Sequence, residues 1–316
     1  MTLLRGGNGP GRCTAMPIVL DHQALESHLP HRGCNLLPDR VDIDDAGTSA
    51  RSYAQIQVGD PRGREVMGRR DAAGTHCWYE PFVFEFLALT GLPLLTPRLS
   101  AAGQVGVFSS ISRIVFHRQV PFSGQLVGHT EITRDRPPFT VFSTWAEIDG
   151  VRVMEGEVMS GVSTLAEVSG RPLRPLPLPK VEAIDGARFA WKDRPVRFID
   201  GVVSWDPATR HIVCSYTYPT DHAFVPGHFP GAPLMMGVTQ FAAVADAAWL
   251  AAGRLGLNAC TASGSVRRPD GTEVAEVREL ALMNDGGVPR VASLRRIAFR
   301  EPVRPGDTLL IDAILA

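Results

Sequence analysis

The sequence predicts an α+β protein made of two similar halves, each an antiparallel sheet wrapped around one buried helix. Three observations carry this expectation. Strand-turn-strand words recur on both sides of a proline-rich break, each half holds one apolar segment of helix length, and Gly, Pro and Asp-Gly turns punctuate the rest. At 316 residues the chain exceeds the roughly 100–200 residues of a typical domain, so two units are expected and either can bury its own core.

The break is Ser169–Lys180, SGRPLRPLPLPK, whose closely spaced prolines suit neither a helix nor a central strand. It divides the chain into a disordered tail over 1–17, a first unit over 18–168, a linker over 169–190 and a second unit over 191–316. Met16 is an alternative start. Three pairs of words support duplication. Ile111–Ile132 (ISRIVFHRQVPFSGQLVGHTEI) matches Leu294–Leu315 (LRRIAFREPVRPGDTLLIDAIL), and Phe139–Val162 matches Cys260–Met283, each with Asp-Gly between two strand-like runs. Leu36–Asp44 and Val196–Asp206 open the halves. The order differs: the Asp-Gly hairpin follows the RIVF word in the first half and precedes RIAF in the second. The second half therefore reads as permuted, with an insertion at Cys260–Met283 as the alternative.

The helix-length segments are Pro81–Gly91 (PFVFEFLALTG) and Gly237–Gly253 (GVTQFAAVADAAWLAAG). The second is Ala-rich and nearly apolar all round, which marks a helix buried on most faces.

Charge argues against whole classes of partner. With 32 Lys+Arg against 33 Asp+Glu and no basic block, a nucleic-acid or membrane surface is not expected. No run of about 18 uninterrupted apolar residues stands out as a membrane span, and the N-terminus lacks the apolar core of a signal peptide. The five cysteines are odd in number and form no C-x-x-C pair. They read as thiols in a reducing compartment, and the expected location is the cytoplasm.

The segment DHAFVPGHFPGAPLMMGVTQFAAVADA concentrates the chemistry. It resembles the β-hydroxyacyl-acyl-carrier-protein dehydratases, whose His-Phe-Pro-Gly-x-Pro run leads through Met-Pro-Gly into the central helix of a hot-dog fold. Gly227, His228, Phe229, Pro230, Gly231, Pro233, Met235, Gly237 and Val238 match; Met236 replaces the family's proline. Leu29–Val41 (LPHRGCNLLPDRV) is similar to the family's opening, and the RIVF and RIAF words to its post-helix strands. The resemblance spans most of both halves, with a degenerate first copy. It implies a double hot-dog in which the pairing normally made by a dimer is made within one chain. It also implies a substrate carried as a thioester on acyl-carrier-protein phosphopantetheine or on coenzyme A, with no further cofactor and no metal. A homodimer or higher oligomer stays open.

Dehydration of a β-hydroxyacyl thioester needs a base for the α-proton, an acid for the leaving hydroxyl and donors for the thioester oxygen. His228 is the expected base. The N–H groups at the helix start by Gly237 and Val238 are the expected oxygen donors, with Phe229, Gly231 and Pro233 shaping the loop against the substrate. The family's acid, fourteen residues after the histidine, is here Ala242. Gln240 projects well away from that position, and Asp246 lies one turn beyond it.

The first half offers Glu85, set among Phe82, Val83, Phe84, Phe86 and Leu87, where burial should keep a carboxyl protonated and suited to act as an acid. Glu80 is the reserve. The expected working pair is His228 with Glu85. A second pair, His76 with Asp246, looks degenerate because the first-half loop AGTHCWYEPF lacks HFPG. His31, His117, His129 and His222 read as ordinary polar residues, His31 as structural. Two other readings keep the same fold: an acyl thioesterase, and a non-catalytic acyl-binding or partner subunit that has lost its acid.

Overall fold

The computed structural model describes residues 17–170, 178 and 181–316. Residues 1–16 of the tail expected over 1–17 and the proline-rich middle of the linker lie outside the described residues. The first half begins with β1 (Ile18–Asp21), α1 (His22–His28), β2 (Arg40–Ile43) and β3 (Ser49–Ala54). A short hairpin of β4 (Gly68–Arg70) and β5 (His76–Trp78) leads into α2 (Glu80–Ala101). Then follow β6 (Gln104–Phe116), β7 (Leu126–Arg136), β8 (Phe139–Ile148), β9 (Val151–Thr164) and α3 (Leu165–Ser169). The second half contains β10 (Glu182–Ala183), β11 (Gly201–Asp206), β12 (His211–Thr217), α4 (Gly237–Arg254), β13 (Ala259–Arg267), β14 (Glu273–Asp285), β15 (Val288–Phe299) and β16 (Thr308–Leu315).

Apart from β4 and β5, these strands form one antiparallel sheet in the order β1-β2-β3-β7-β8-β9-β6-β15-β14-β13-β16-β12-β11-β10. Read outward from its centre, β6, β9, β8, β7, β3 and β2 face β15, β14, β13, β16, β12 and β11 as positional equivalents. The hairpin β8–β9 that ends the first sheet thus has its counterpart, β13–β14, directly after the helix of the second. Both strands of Cys260–Met283 occupy inventory positions in the sheet, as a permuted order requires and an insertion does not.

The seam between halves explains the most obvious repeat. Ile111 pairs with Ile297 and Ile114 with Leu294. Because Ile111 corresponds to Leu294 and Ile114 to Ile297 in the repeated words, each pair maps onto the other by a pseudo-two-fold rotation. That is the self-complementary contact of a symmetric dimer, made inside one chain. The fold is a double hot-dog: two antiparallel sheets joined edge to edge, each curling over one helix, with α2 and α4 in contact.

Local chemistry sets the elements. In the β8–β9 turn Asp149 and Gly150 both take positive φ, 50° and 72°, the geometry of a tight hairpin that Asp-Gly favours. Helix α4 spans the expected residues to within one position, and Val238, Phe241, Val244 and Ala248 on it are fully buried. Each of the larger of these side chains contributes about 1.5–3 kcal/mol by leaving water.

Helix α2 differs from the expectation. It continues past Gly91 to Ala101, through Pro93 and Pro97. Tertiary packing overrides the proline signal: Leu95 and Leu99 in the extension are buried, and Thr96 Oγ1 donates to the carbonyls of His28 and Leu92. By length and composition α2 could cross a membrane, although 67% of that apolar window is buried beneath the sheet. The linker also differs in its last third. Glu182–Ala183 pairs with Val202 and Gly201 as the sheet edge, and Gly186–Phe189 forms a 3₁₀ turn packed on the core.

Candidate active site

The loop before α4 is tied down at both ends. His228 N–H donates to Phe224 O at 3.1 Å, Leu234 N–H to His228 O at 2.6 Å, and Met235 N–H to Val303 O at 2.9 Å. Gly231 supplies the positive φ, 76°, that this compact turn needs. Gly227 presses against the first half: a Cβ there would stand 2.1 Å from Arg32 O, and Arg32 N–H donates to Gly227 O at 3.0 Å. Asn35 Nδ2 donates to Phe224 O at 3.0 Å. The LPHR opening of the first half is therefore clamped onto the HFPG loop of the second.

This clamp brings His31 to His228, with ring centroids 5.0 Å apart. Glu85 enters from α2. The three residues are buried, and one donor atom from each lies within 4.8 Å of the others. The expected partners His228 and Glu85 are thus side by side, contributed by different halves. Two imidazoles and a carboxylate at this spacing also form a donor set that a divalent cation could use.

His228 Nδ1 lies 3.1 Å from Leu234 O. A carbonyl can only accept, so Nδ1 carries the proton and Nε2 keeps its lone pair. Burial pushes the His228 pKa down to about 4, against lesser raising effects from its backbone hydrogen bonds. Burial alone lifts the Glu85 carboxyl to about 8. His31 is driven well below its ordinary range by burial and then by the neighbouring His228 and Arg32. At neutral pH the site therefore holds a neutral imidazole beside a protonated carboxyl, a base and an acid set apart by environment.

A cavity of about 390 Å³ opens from this cluster, within the range of small-molecule sites. His31, Glu85 and His228 form its reactive end, and Phe229, Gly237 and Gln240 also line it. Ala88, Gly91 and Leu92 of α2 run along it toward Phe139, Phe142 and Gly161. Gly237 keeps the start of α4 close to the rings of Phe108 and Phe299, since a Cβ would stand 2.9 and 3.1 Å from them.

Other expected residues fall elsewhere. Glu80, the reserve acid, forms a buried ion pair with Arg69 and does not line the cavity. Val238 points into the core and Pro233 lies outside the lining; from that part of the loop only Phe229, Leu234, Met235 and Gly237 reach the cavity. Gly231 shapes the turn rather than touching the space. His76 stacks against Phe122 at 6.3 Å, while Asp246 Oδ1 accepts from Lys192 Nζ and Oδ2 accepts from Phe198 N–H. The pair His76 and Asp246 is not brought together by these contacts.

Pseudo-symmetry explains this. Carrying Val107 and Phe108 across the seam lands on Arg290 and Val291, and carrying Ala88 and Leu92 from α2 to α4 lands on Ala245 and Trp249. These residues surround a hollow of only about 10 Å³, at the limit for one water. Tyr79 and Trp191 close it, and Lys192 is buried against their rings. Burial lowers the Lys192 ammonium to about 8 and raises the Asp246 carboxyl, while their mutual attraction opposes both shifts. The second position is filled by the chain itself.

Two residues at the site were not anticipated. His31 had a signal, its place in the LPHR opening, but nothing in one sequence says that this opening crosses to the other half. Gln240 had one too: an amide in the first turns of an otherwise apolar helix.

A helix-centred double hot-dog with a histidine and a glutamate at the interface of its halves is the class that fold and site define. No protein-family model matches the chain. It is similar to the 3-hydroxyacyl-acyl-carrier-protein dehydratase FabZ of Chlamydia trachomatis, 29% identical over 119 residues, covering 38% of this chain and 62% of that protein. The matched stretch thus spans less than two thirds of the chlamydial relative. FabZ of Nitrosomonas eutropha is 29% identical over 148 residues, covering 44% of this chain and 96% of that one. A solved structure bearing on dehydratase substrate selection in the borrelidin and fluvirucin polyketide synthases aligns over 86% of this chain and 95% of its own, with 14% identity and a TM-score of 0.41. By these sequence relationships the chain is similar to the hot-dog dehydratases.

Proposed function

We propose that the chain removes water from a β-hydroxyacyl thioester, on acyl carrier protein or coenzyme A, to give a 2-enoyl thioester. The observation that carries this reading is the buried pairing of His228 with Glu85 at the end of an apolar cavity. His228 Nε2 takes the α-proton, and the electrons of that C–H bond form the new double bond as the β C–O bond breaks. Glu85 delivers its proton to the departing hydroxyl, which leaves as water. The enolate character that builds on the thioester oxygen is met by the N–H groups at the start of α4 by Gly237. The proton on His228 then returns to Glu85, which restores both groups.

The acyl chain occupies the cavity along Ala88, Gly91 and Leu92. The test is incubation of the full chain with a 3-hydroxyacyl thioester, followed by product analysis. A 2-enoyl thioester supports the reading; free thiol indicates hydrolysis, and no product across acyl lengths indicates a binding role.

A further inference from the structure

We infer that Gln240 holds the substrate's β-hydroxyl, making the site selective for hydroxyacyl over saturated acyl thioesters; this rests on the dehydration proposed above. Gln240 is 4% exposed, lines the same cavity as His228 and Glu85, and its Oε1 has no hydrogen-bond partner. A buried acceptor left unpaired is costly, so such an atom in an active-site wall marks the place of a ligand donor. Glu85 Oε2 is likewise unpartnered. As a protonated acid, Glu85 donates to the β-oxygen. The hydroxyl's own hydrogen is the donor left to satisfy Gln240 Oε1.

The two halves show that this amide is not a requirement of the helix itself. Matching Glu85 with Ala242 places Gln240 opposite Val83 on α2, a buried apolar residue. Helix α4 therefore lost the acid that would serve the filled position and carries a polar group two residues earlier, directed into the open one. The first-half helix shows the reverse. Once the β C–O bond has broken, the 2-enoyl product has no hydroxyl to offer. It leaves Oε1 unpaired unless the released water stays, so product is held less well than substrate.

The test compares wild type with Gln240→Met, which keeps length and burial while removing the acceptor. KM is measured for a 3-hydroxyacyl thioester, and the inhibition constant for the saturated acyl thioester of equal length. The expected result is a KM raised roughly tenfold, with the inhibition constant within twofold of wild type and an unchanged melting curve. An unchanged KM overturns the inference, as does an inhibition constant that rises in step with KM, which would indicate damaged packing. Wild type that makes no 2-enoyl product defeats the dehydration reading and this inference with it. Active wild type with unaltered selectivity in the variant defeats this inference alone.

Discussion

An imidazole nitrogen of His228 and a carboxylate oxygen of Glu85 lie within 4.8 Å of each other, although one sits in a loop of the second half and the other in the helix of the first. Their environments separate their proton affinities. Burial takes His228 down to about 4 and Glu85 up to about 8. Below the lower value the base is protonated, and above the upper one the acid is ionised. The profile of kcat/KM against pH should therefore be a broad bell with limbs near these values. A rising limb near 6.5 would show that His228 titrates as an ordinary histidine.

Glu85 also makes stability depend on pH. Its folded pKa, about 8, exceeds its ordinary 4.5, so the folded protein holds a proton that the unfolded chain has lost. Relative stability is full below about 4.5 and declines as pH rises through 8. Glu85→Gln should match wild type in stability at pH 4.5 and exceed it at pH 9, by up to about 4 kcal/mol. Thermal melts at the two pH values check this, and an equal difference at both would contradict it.

Asp246 should behave as a structural residue. Its ion pair with Lys192 is buried, and removing one partner of such a pair costs about 3–5 kcal/mol. Asp246→Asn should lower the melting temperature while kcat, measured well below it, stays within about twofold of wild type. A loss of activity on the scale of a removed acid or base, about 10²-fold or more, would assign Asp246 to the chemistry.

Acyl length should be set at the far end of the cavity. A Cβ on Gly161 would meet Phe139 at 3.5 Å, an ordinary contact, so a larger side chain fits the backbone and takes its volume from the acyl space. Gly161→Leu should raise KM for long acyl chains about tenfold or more and leave the shortest substrates near wild type. Equal effects on all lengths would place the chain elsewhere.

Much of this was legible in the sequence because duplication leaves repeated words. The RIVF and RIAF segments, the Asp-Gly hairpins and the buried α4 are local patterns, and each became the expected element. Glu85 could be singled out because a carboxylate amid phenylalanines has a high desolvation cost wherever it folds. The misses are tertiary. Pro93 and Pro97 signal a helix end that packing overrides, and the pairing of Glu80 with Arg69 depends on β4 lying beside the start of α2. No local spacing shows that the LPHR opening crosses to the other half, or that Tyr79 and Trp191 close the second position.

The most direct test is a kinetic cycle on 2-enoyl thioester formation with His228→Ala, Glu85→Gln and the double variant. A base and an acid serving one substrate should each contribute about 10²–10⁴-fold, and the double variant should be scarcely slower than the worse single one, as groups acting as a unit behave. A single variant that retains wild-type kcat/KM, or a double variant whose loss is the full product of the two single losses, would contradict one site shared between the halves.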